Sequence, residues 1–196
     1  MIAERQLDPQ LLRRGMSQLL SKEIPWRSYD AVIVSDGSGT NWKNACGFSS
    51  VVFRKVEEKW RVSVRHGSWS EGSSVAAEVL AVVQALTWLW FVHKFRNKRA
   101  KVLIVADNQM VVQCGRLSAG DRGKYGPLFM IVDGFERNGV QLRWLHRPRS
   151  TCTANVLADY VAGVSRVEQV RSKALTGDPS VRKVPFDLGV DTYAGD

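Results

Sequence analysis

Cysteine, histidine and long apolar runs are all scarce in this chain. Its 196 residues include three cysteines and three histidines. Cys46, Cys114 and Cys152 are odd in number and far apart, with no Cys-x-x-Cys among them. That argues against a disulfide framework and for a reducing, intracellular compartment, cytoplasmic or nuclear. His66, His93 and His146 stand at no zinc-binding spacing from those cysteines. The longest apolar stretch, 79–92, is interrupted by Gln84 and Thr87, so no membrane span is expected. The N-terminus has no apolar signal core, and its mixture of Glu4, Arg5 and Asp8 is unlike a transit peptide. Acidic residues are in deficit: 19 Asp and Glu against 28 Lys and Arg leave a formal charge of +9 and a pI near 9.8. A surface of that sign attracts polyanions and speeds their capture.

What is present suits one ordinary domain with extensions. A hydrophobic fraction of 44% is enough for a core. In residues 1–27, Asp8 can cap a helix with Pro9 in its first turn, and Leu11, Leu12, Met16, Leu19 and Leu20 recur at helical spacing. This amphipathic extension needs a surface to pack on, either the domain that follows or a partner. From Tyr29 the pattern turns to strands at 31–35, 46–54 and 60–66, in meander order. A long helix opens at Ser73 or Ser74, with Val75, Ala76, Val79, Leu80, Val83, Leu86 and Leu89 on its buried face. The cations that follow it, from His93 to Arg99, complement a helix C-terminus or touch nucleic acid. A strand at 101–106, helices to Leu117 and from Pro127 to about Arg137, a strand at 140–146 and a helix at 154–167 complete the domain, 28–168. Trp88, Trp90 and Trp144 fit core positions. The expected fold is α/β: a mixed sheet of five strands, three antiparallel and two parallel additions, with helices on both faces. Beyond Gln169 the periodicity stops, and 169–196 reads as a flexible tail.

Four acids stand out against this pattern. Asp36 follows the apolar run 31–35, and Asp107 follows the run 102–106. Glu78 and Asp159 lie inside the first and last helices of the domain. Carboxylates at the ends of neighbouring strands, joined by two from helices, crowd like charge that cations must neutralise. All-oxygen ligands suit Mg²⁺ or Mn²⁺, and two such ions can clamp a phosphodiester undergoing in-line displacement.

Each acid also sits in a short motif. Asp36-Gly-Ser, Ala76-Ala-Glu78 followed by Leu80-Ala, Asp107-Asn-Gln109-Met-Val-Val and Asn155-Val-Leu-Ala-Asp159-Tyr-Val-Ala occur in that order. Together they resemble the ribonuclease H family of type 1, including the RNase H domains of retroelements, over roughly residues 29–167. The resemblance implies a hydrolase that cuts the RNA strand of RNA–DNA hybrids with two Mg²⁺ ions, or Mn²⁺ as substitute, held by Asp36, Glu78, Asp107 and Asp159. One ion would activate water and the other would stabilise the leaving 3′ oxygen. It also implies substrate contacts from Gly37, Ser38, Asn41, Asn44, Ser74 and Gln109, with the 2′-hydroxyl telling RNA from DNA. Ser74 is equally placed to cap its helix, and Gln109 to be a solvated first-turn residue. A reverse transcriptase, or another domain of a larger protein, is the partner implied beside the hybrid.

The chain departs from the family pattern at two places. Where many members carry a loop histidine, ten residues before Asp159, stands Arg149; His146 lies three residues earlier, at the predicted strand end. His146-Arg-Pro-Arg149 resembles the His-Val-Pro-Arg of a divergent branch. Arginine cannot shuttle protons near neutral pH but binds phosphate as a fixed cation; His146 is either an auxiliary group or a structural strand-end residue. After the first strand, the usual Gly-Pro-Gly is replaced by Thr40-Asn-Trp-Lys-Asn-Ala-Cys-Gly47, in which Trp42 and Lys43 grip substrate or cover the sheet edge. Two other readings stand beside the nuclease: a non-catalytic scaffold of the same fold that binds nucleic acid or protein, and another nuclease or transposase. Glu78, placed between the strand aspartates, favours ribonuclease H over transposases, whose last acid comes late in the chain.

Overall fold

A strand buried along most of its length organises the molecule. β1 (Ala31–Ser38) is covered on both faces from Ala31 to Asp36. The computed structural model describes residues 16–21, 23–40, 44–57, 59–95, 99–176 and 188–194. β2 (Cys46–Val56) and β3 (Lys59–Trp69) extend the sheet from one side of β1 as antiparallel neighbours. The turn between β2 and β3 places Glu57 at a φ of 50°, a left-handed conformation of the kind tight hairpin turns demand. β4 (Lys101–Ala106) and β5 (Gln141–His146) add to the other side of β1, both parallel to it. The five-stranded mixed sheet is therefore as the sequence pattern predicts.

Parallel neighbours need crossovers, and helices supply them. α2 (Ser74–Phe91) leads into β4, and α3 (Gln109–Arg116) and α4 (Gly126–Arg137) connect β4 to β5. α5 (Thr153–Thr176) follows β5. Alternation along the strands sends Ala31, Ile33 and Val52 to one face and Val32, Val34, Val51 and Phe53 to the other. The first set packs beneath α2, α3 and α4, with Phe129 and Trp144 in ring contact at 5.8 Å. The second packs beneath α5 and the N-terminal segment, where the short helix α1 (Met16–Leu19) ends in Leu19 and Leu20, both fully buried. Trp26 completes that side edge-on to Trp60, centroids 5.5 Å apart. The described end of the extension thus packs on the domain; residues 1–15, with Asp8 and Pro9, lie outside the described residues. Trp144 is buried as expected, whereas Trp88 and Trp90 flank the core half-covered.

One expectation is corrected. The stretch from Gln169 is not without structure: α5 continues to Thr176, and a sixth strand, β6 (Leu188–Ala194), pairs antiparallel with β3. Apolar periodicity missed the helical part because the contact there is polar. Gln169 is buried and accepts a hydrogen bond from the Ser68 hydroxyl at 2.9 Å. α2, moreover, is long and apolar enough by composition to cross a bilayer, with a mean hydropathy of 1.5. In the fold its apolar residues cover the sheet and its turn at Glu78 faces the acidic cluster, so that hydropathy reports a central core helix. All three cysteines are buried and free.

Glycine sets the closest helix–sheet approach. A Cβ at Gly47 on β2 would run into the backbone of α5 at Ala162 and Arg166. Gly47→Ala must push α5 off the sheet, and overpacking of this kind costs about 1–3 kcal/mol. A lower urea midpoint with an unchanged slope is expected; an unchanged midpoint would show that α5 does not seat there.

Candidate active site

The four acids come from four elements and meet at one end of the sheet. In the parallel pair β1–β4, Ser35 is level with Ala106, so Asp36, still on β1, and Asp107, just past the end of β4, stand side by side. Glu78 enters from α2 on one face of the sheet and Asp159 from α5 on the other. Glu78 reaches the strand end because β1 carries glycine there: a Cβ at Gly37 would collide with the backbone of Ser74, Ala77 and Glu78. Gly37 is therefore a packing residue, and its N–H donates to Asp36 Oδ1 at 2.6 Å.

Burial and mutual repulsion act on these carboxyls together. Asp36 is 2% exposed, and its pKa is raised to about 7, first by burial and then by Asp107 and Asp159, with Arg149 and the Gly37 N–H opposing. Burial, then Asp107 and Asp36, raises Glu78 well above the usual glutamate value, against the opposing hydrogen bonds of Asn108. Asp36 Oδ2 and Glu78 Oε1 are buried without a hydrogen-bond donor. Asp107 is mostly covered and Asp159 is 40% exposed, so the cluster opens to solvent along α5.

Arg149 stands in the middle. Its Nε donates to Asp107 Oδ2 at 2.9 Å, Nη1 lies 3.1 Å from Asp159 Oδ1, and Nη2 lies 3.6 Å from Asp36 Oδ2. Each guanidinium nitrogen faces a different acid. Burial opposes the arginine's charge, but the three carboxylates outweigh it and raise its pKa further.

The remaining predicted residues divide. Asn108, which the sequence reading did not single out, caps α3 through its side-chain oxygen to Met110 and Val111 and faces Glu78. Its signal was available: an asparagine between a strand-end aspartate and the first turn of a helix. Gln109, the first residue of α3, is exposed beside it. The cap of α2 is Ser73, whose hydroxyl accepts from the Ala76 N–H at 3.2 Å, so Ser74 is left half-exposed in the first turn. Ser38 ends β1 half-buried, and Asn44 is exposed with its amide donating to Thr40 Oγ1 at 2.8 Å. His146 turns to the backbone: its Nε2 is 3.0 Å from the Asp107 carbonyl, which suits a strand-end structural role. Asn41, Trp42 and Lys43 lie outside the described residues.

The donor set fits a divalent ion in chemistry. It is all carboxylate oxygen, two of those oxygens are buried without donors, and a cation already stands among three of the acids. In spacing it is not closed. Among the described residues, no three acidic, histidine or cysteine side chains stand close enough to hold an ion as they are.

With this geometry in view, the comparisons assign the fold. No protein-family model and no curated protein matches the chain. Solved structures do. LC11-RNase H1, crystallised in complex with an RNA/DNA hybrid, is 16% identical with a TM-score of 0.58, over 71% of this chain and 99% of that one. RNase H1 from the halophilic archaeon Halobacterium salinarum is 15% identical with a TM-score of 0.54, over 70% and 98%. The foamy viral protease-reverse transcriptase, solved with dsDNA, is 20% identical with a TM-score of 0.51, over 74% and 99%. The chain has the ribonuclease H fold, in its strand order and in its mixture of parallel and antiparallel pairs.

The raised pKa of Asp36 has a pH consequence for the metal-free protein. Between its unfolded value of 3.8 and its folded value of about 7, the folded state holds the extra proton, so this group's stabilising contribution is lost as pH rises through that window. In EDTA, the melting temperature is expected to fall from pH 5 to pH 8, and Asp36→Asn to flatten that fall and raise the value at pH 8. A variant that melts lower than wild type at pH 8 would mean that the Asp36 charge stabilises the fold.

Proposed function

We propose that this chain is a metal-dependent endoribonuclease that hydrolyses the RNA strand of RNA–DNA hybrids. The observation that carries the reading is the convergence of Asp36, Asp107 and Asp159 on a single guanidinium, with Glu78 brought beside Asp36 and Asp107 by α2. Asp36, Glu78, Asp107 and Asp159 would hold a pair of Mg²⁺ ions, or Mn²⁺ in their place. Bound there, such ions supply a water of lowered pKa and neutralise charge on the departing oxygen.

The protein's own groups do the rest. Asp36 and Glu78 must give up protons before they can act as ligands, so the apo site favours loading at pH above neutrality. Ser38, Asn44, Ser74 and Gln109 lie around the same end of the sheet with polar groups open to solvent or partly so, where a minor groove presents 2′-hydroxyls. His146, tied to the Asp107 carbonyl, steadies the loop that carries an acid. The charge of +9 draws the polyanion in. LC11-RNase H1 supports the choice of hybrid, and the viral neighbour supports a reverse-transcriptase domain as partner.

One observation favours a second reading, a scaffold that binds without cutting: Arg149 already neutralises much of the cluster. Cleavage separates the two. A labelled hybrid is expected to lose only its RNA strand in Mg²⁺ or Mn²⁺, with double-stranded RNA, double-stranded DNA and single-stranded RNA uncut. EDTA, Asp36→Asn and Asp107→Asn are each expected to reduce cleavage to background with the fold kept by circular dichroism. Retained cutting in either variant would sink the assignment of the metal site; hybrid bound but uncut under both metals would establish the scaffold.

A further inference from the structure

Resting on that reading of the cluster as a metal site, we infer that Arg149 is its built-in counter-cation and that divalent ions load by exchange for it. Three observations lead there. The guanidinium spends all three nitrogens on acids of three different elements, β1, the loop after β4 and α5, at 2.9–3.6 Å. Octahedral Mg²⁺ takes its oxygens at about 2.0–2.1 Å, and an ion at the point that all three acids face would overlap the guanidinium standing there. Among the described residues, moreover, no closed set of three ligands exists while the guanidinium is in place. Ion entry requires the carboxylates to draw together and Arg149 to leave.

The local structure allows that departure without unfolding. Arg149 opens a single 3-10 turn (Arg149–Thr151) and its side chain is 54% exposed, so it has a direct route to solvent. The turn itself is held independently: the Thr151 N–H and hydroxyl both donate to the Pro148 carbonyl, at 3.0 and 2.6 Å. The backbone can stay while the side chain swings. Glu78 makes no ion pair with the guanidinium among the described contacts and keeps an orphaned oxygen, which leaves it free to receive an arriving ion. Once displaced, the guanidinium stands at the rim of the site, where its planar fork matches a phosphate of the bound strand. Arg149 is then a positioning residue: it offsets part of the empty cluster's negative charge, and its release couples ion loading to a phosphate grip.

The exchange weakens the apparent affinity for metal. If the guanidinium holds the cluster about nine-tenths of the time, the measured Kd is about tenfold above the intrinsic one. Mn²⁺ titration by calorimetry should therefore show Arg149→Gln binding several-fold to about tenfold more tightly than wild type, with Arg149→Lys in between. Mg²⁺ titration of the wild type should shift the Arg149 Nε–H resonance with the midpoint of the binding isotherm. Thermal melts of both variants check that the fold is kept. Equal or weaker Mn²⁺ binding by Arg149→Gln, or an Nε–H resonance that stays put while the wild type saturates, would overturn the exchange and leave the metal-dependent nuclease standing. Absence of binding in both wild type and Arg149→Gln at millimolar Mn²⁺ would remove the exchange and the metal site together.

Discussion

Two parallel strands that place aspartates side by side, one near the end of β1 and one just past the end of β4, create a local excess of negative charge that the fold cannot leave alone. Asp36 and Asp107 are neighbours because β1 and β4 pair in parallel, and α2 and α5 bring two more carboxyls to the same place from opposite faces. Burial sharpens the problem: the closer an acid lies to the sheet, the more strongly its proton is retained, as Asp36 and Glu78 show. Only a cation, or protons, can settle such a cluster. In the structure one arginine offsets part of that charge, standing among three of the four acids.

The site's geometry rests on close packing by small residues. Gly37 lets the first turns of α2 lie on the end of β1, which is what carries Glu78 to the strand ends. Gly47 does the same for α5 against β2, and Gly115 lets α3 seat on the Trp144 ring. None of these glycines needs to touch a ligand. They set the distances between elements, and those distances decide whether four acids make one site or four unrelated surface groups. The two apolar cores on either face of the sheet hold the arrangement rigid enough for the distances to matter.

A fold shared with solved structures at 15–20% identity does not by itself transmit an activity. What argues for chemistry here is the site: hard oxygen donors at an edge open to solvent on a strongly basic protein. Glu78 Oε1 is buried with no hydrogen-bond partner, an isolation that is unfavourable without an ion. The arginine in the cluster is compatible with both behaviours, and the difference between them reduces to whether it yields.

Much of this was legible along the chain. Apolar runs ending in Asp36 and Asp107, and helical periods enclosing Glu78 and Asp159, depend on local pattern, and the order of strands and helices followed from them. The helix cap was readable to within a residue, falling on Ser73 and not Ser74, because either hydroxyl satisfies the local rule. The continuation of α5 through Gln169 and the pairing of β6 on β3 escaped, since a polar contact and an edge pairing leave no hydrophobic period. The role of Gly37 escaped too, because close approach is a relation between two distant segments. Arg149 was visible as a cation near the site, but its place among three acids was not. Which residues carry charge, and which elements they ride on, are properties of neighbours along the chain. That three of those acids share one guanidinium is a property of the packed fold, because electrostatic interaction depends on distance through space, which a chain sets only once it has packed.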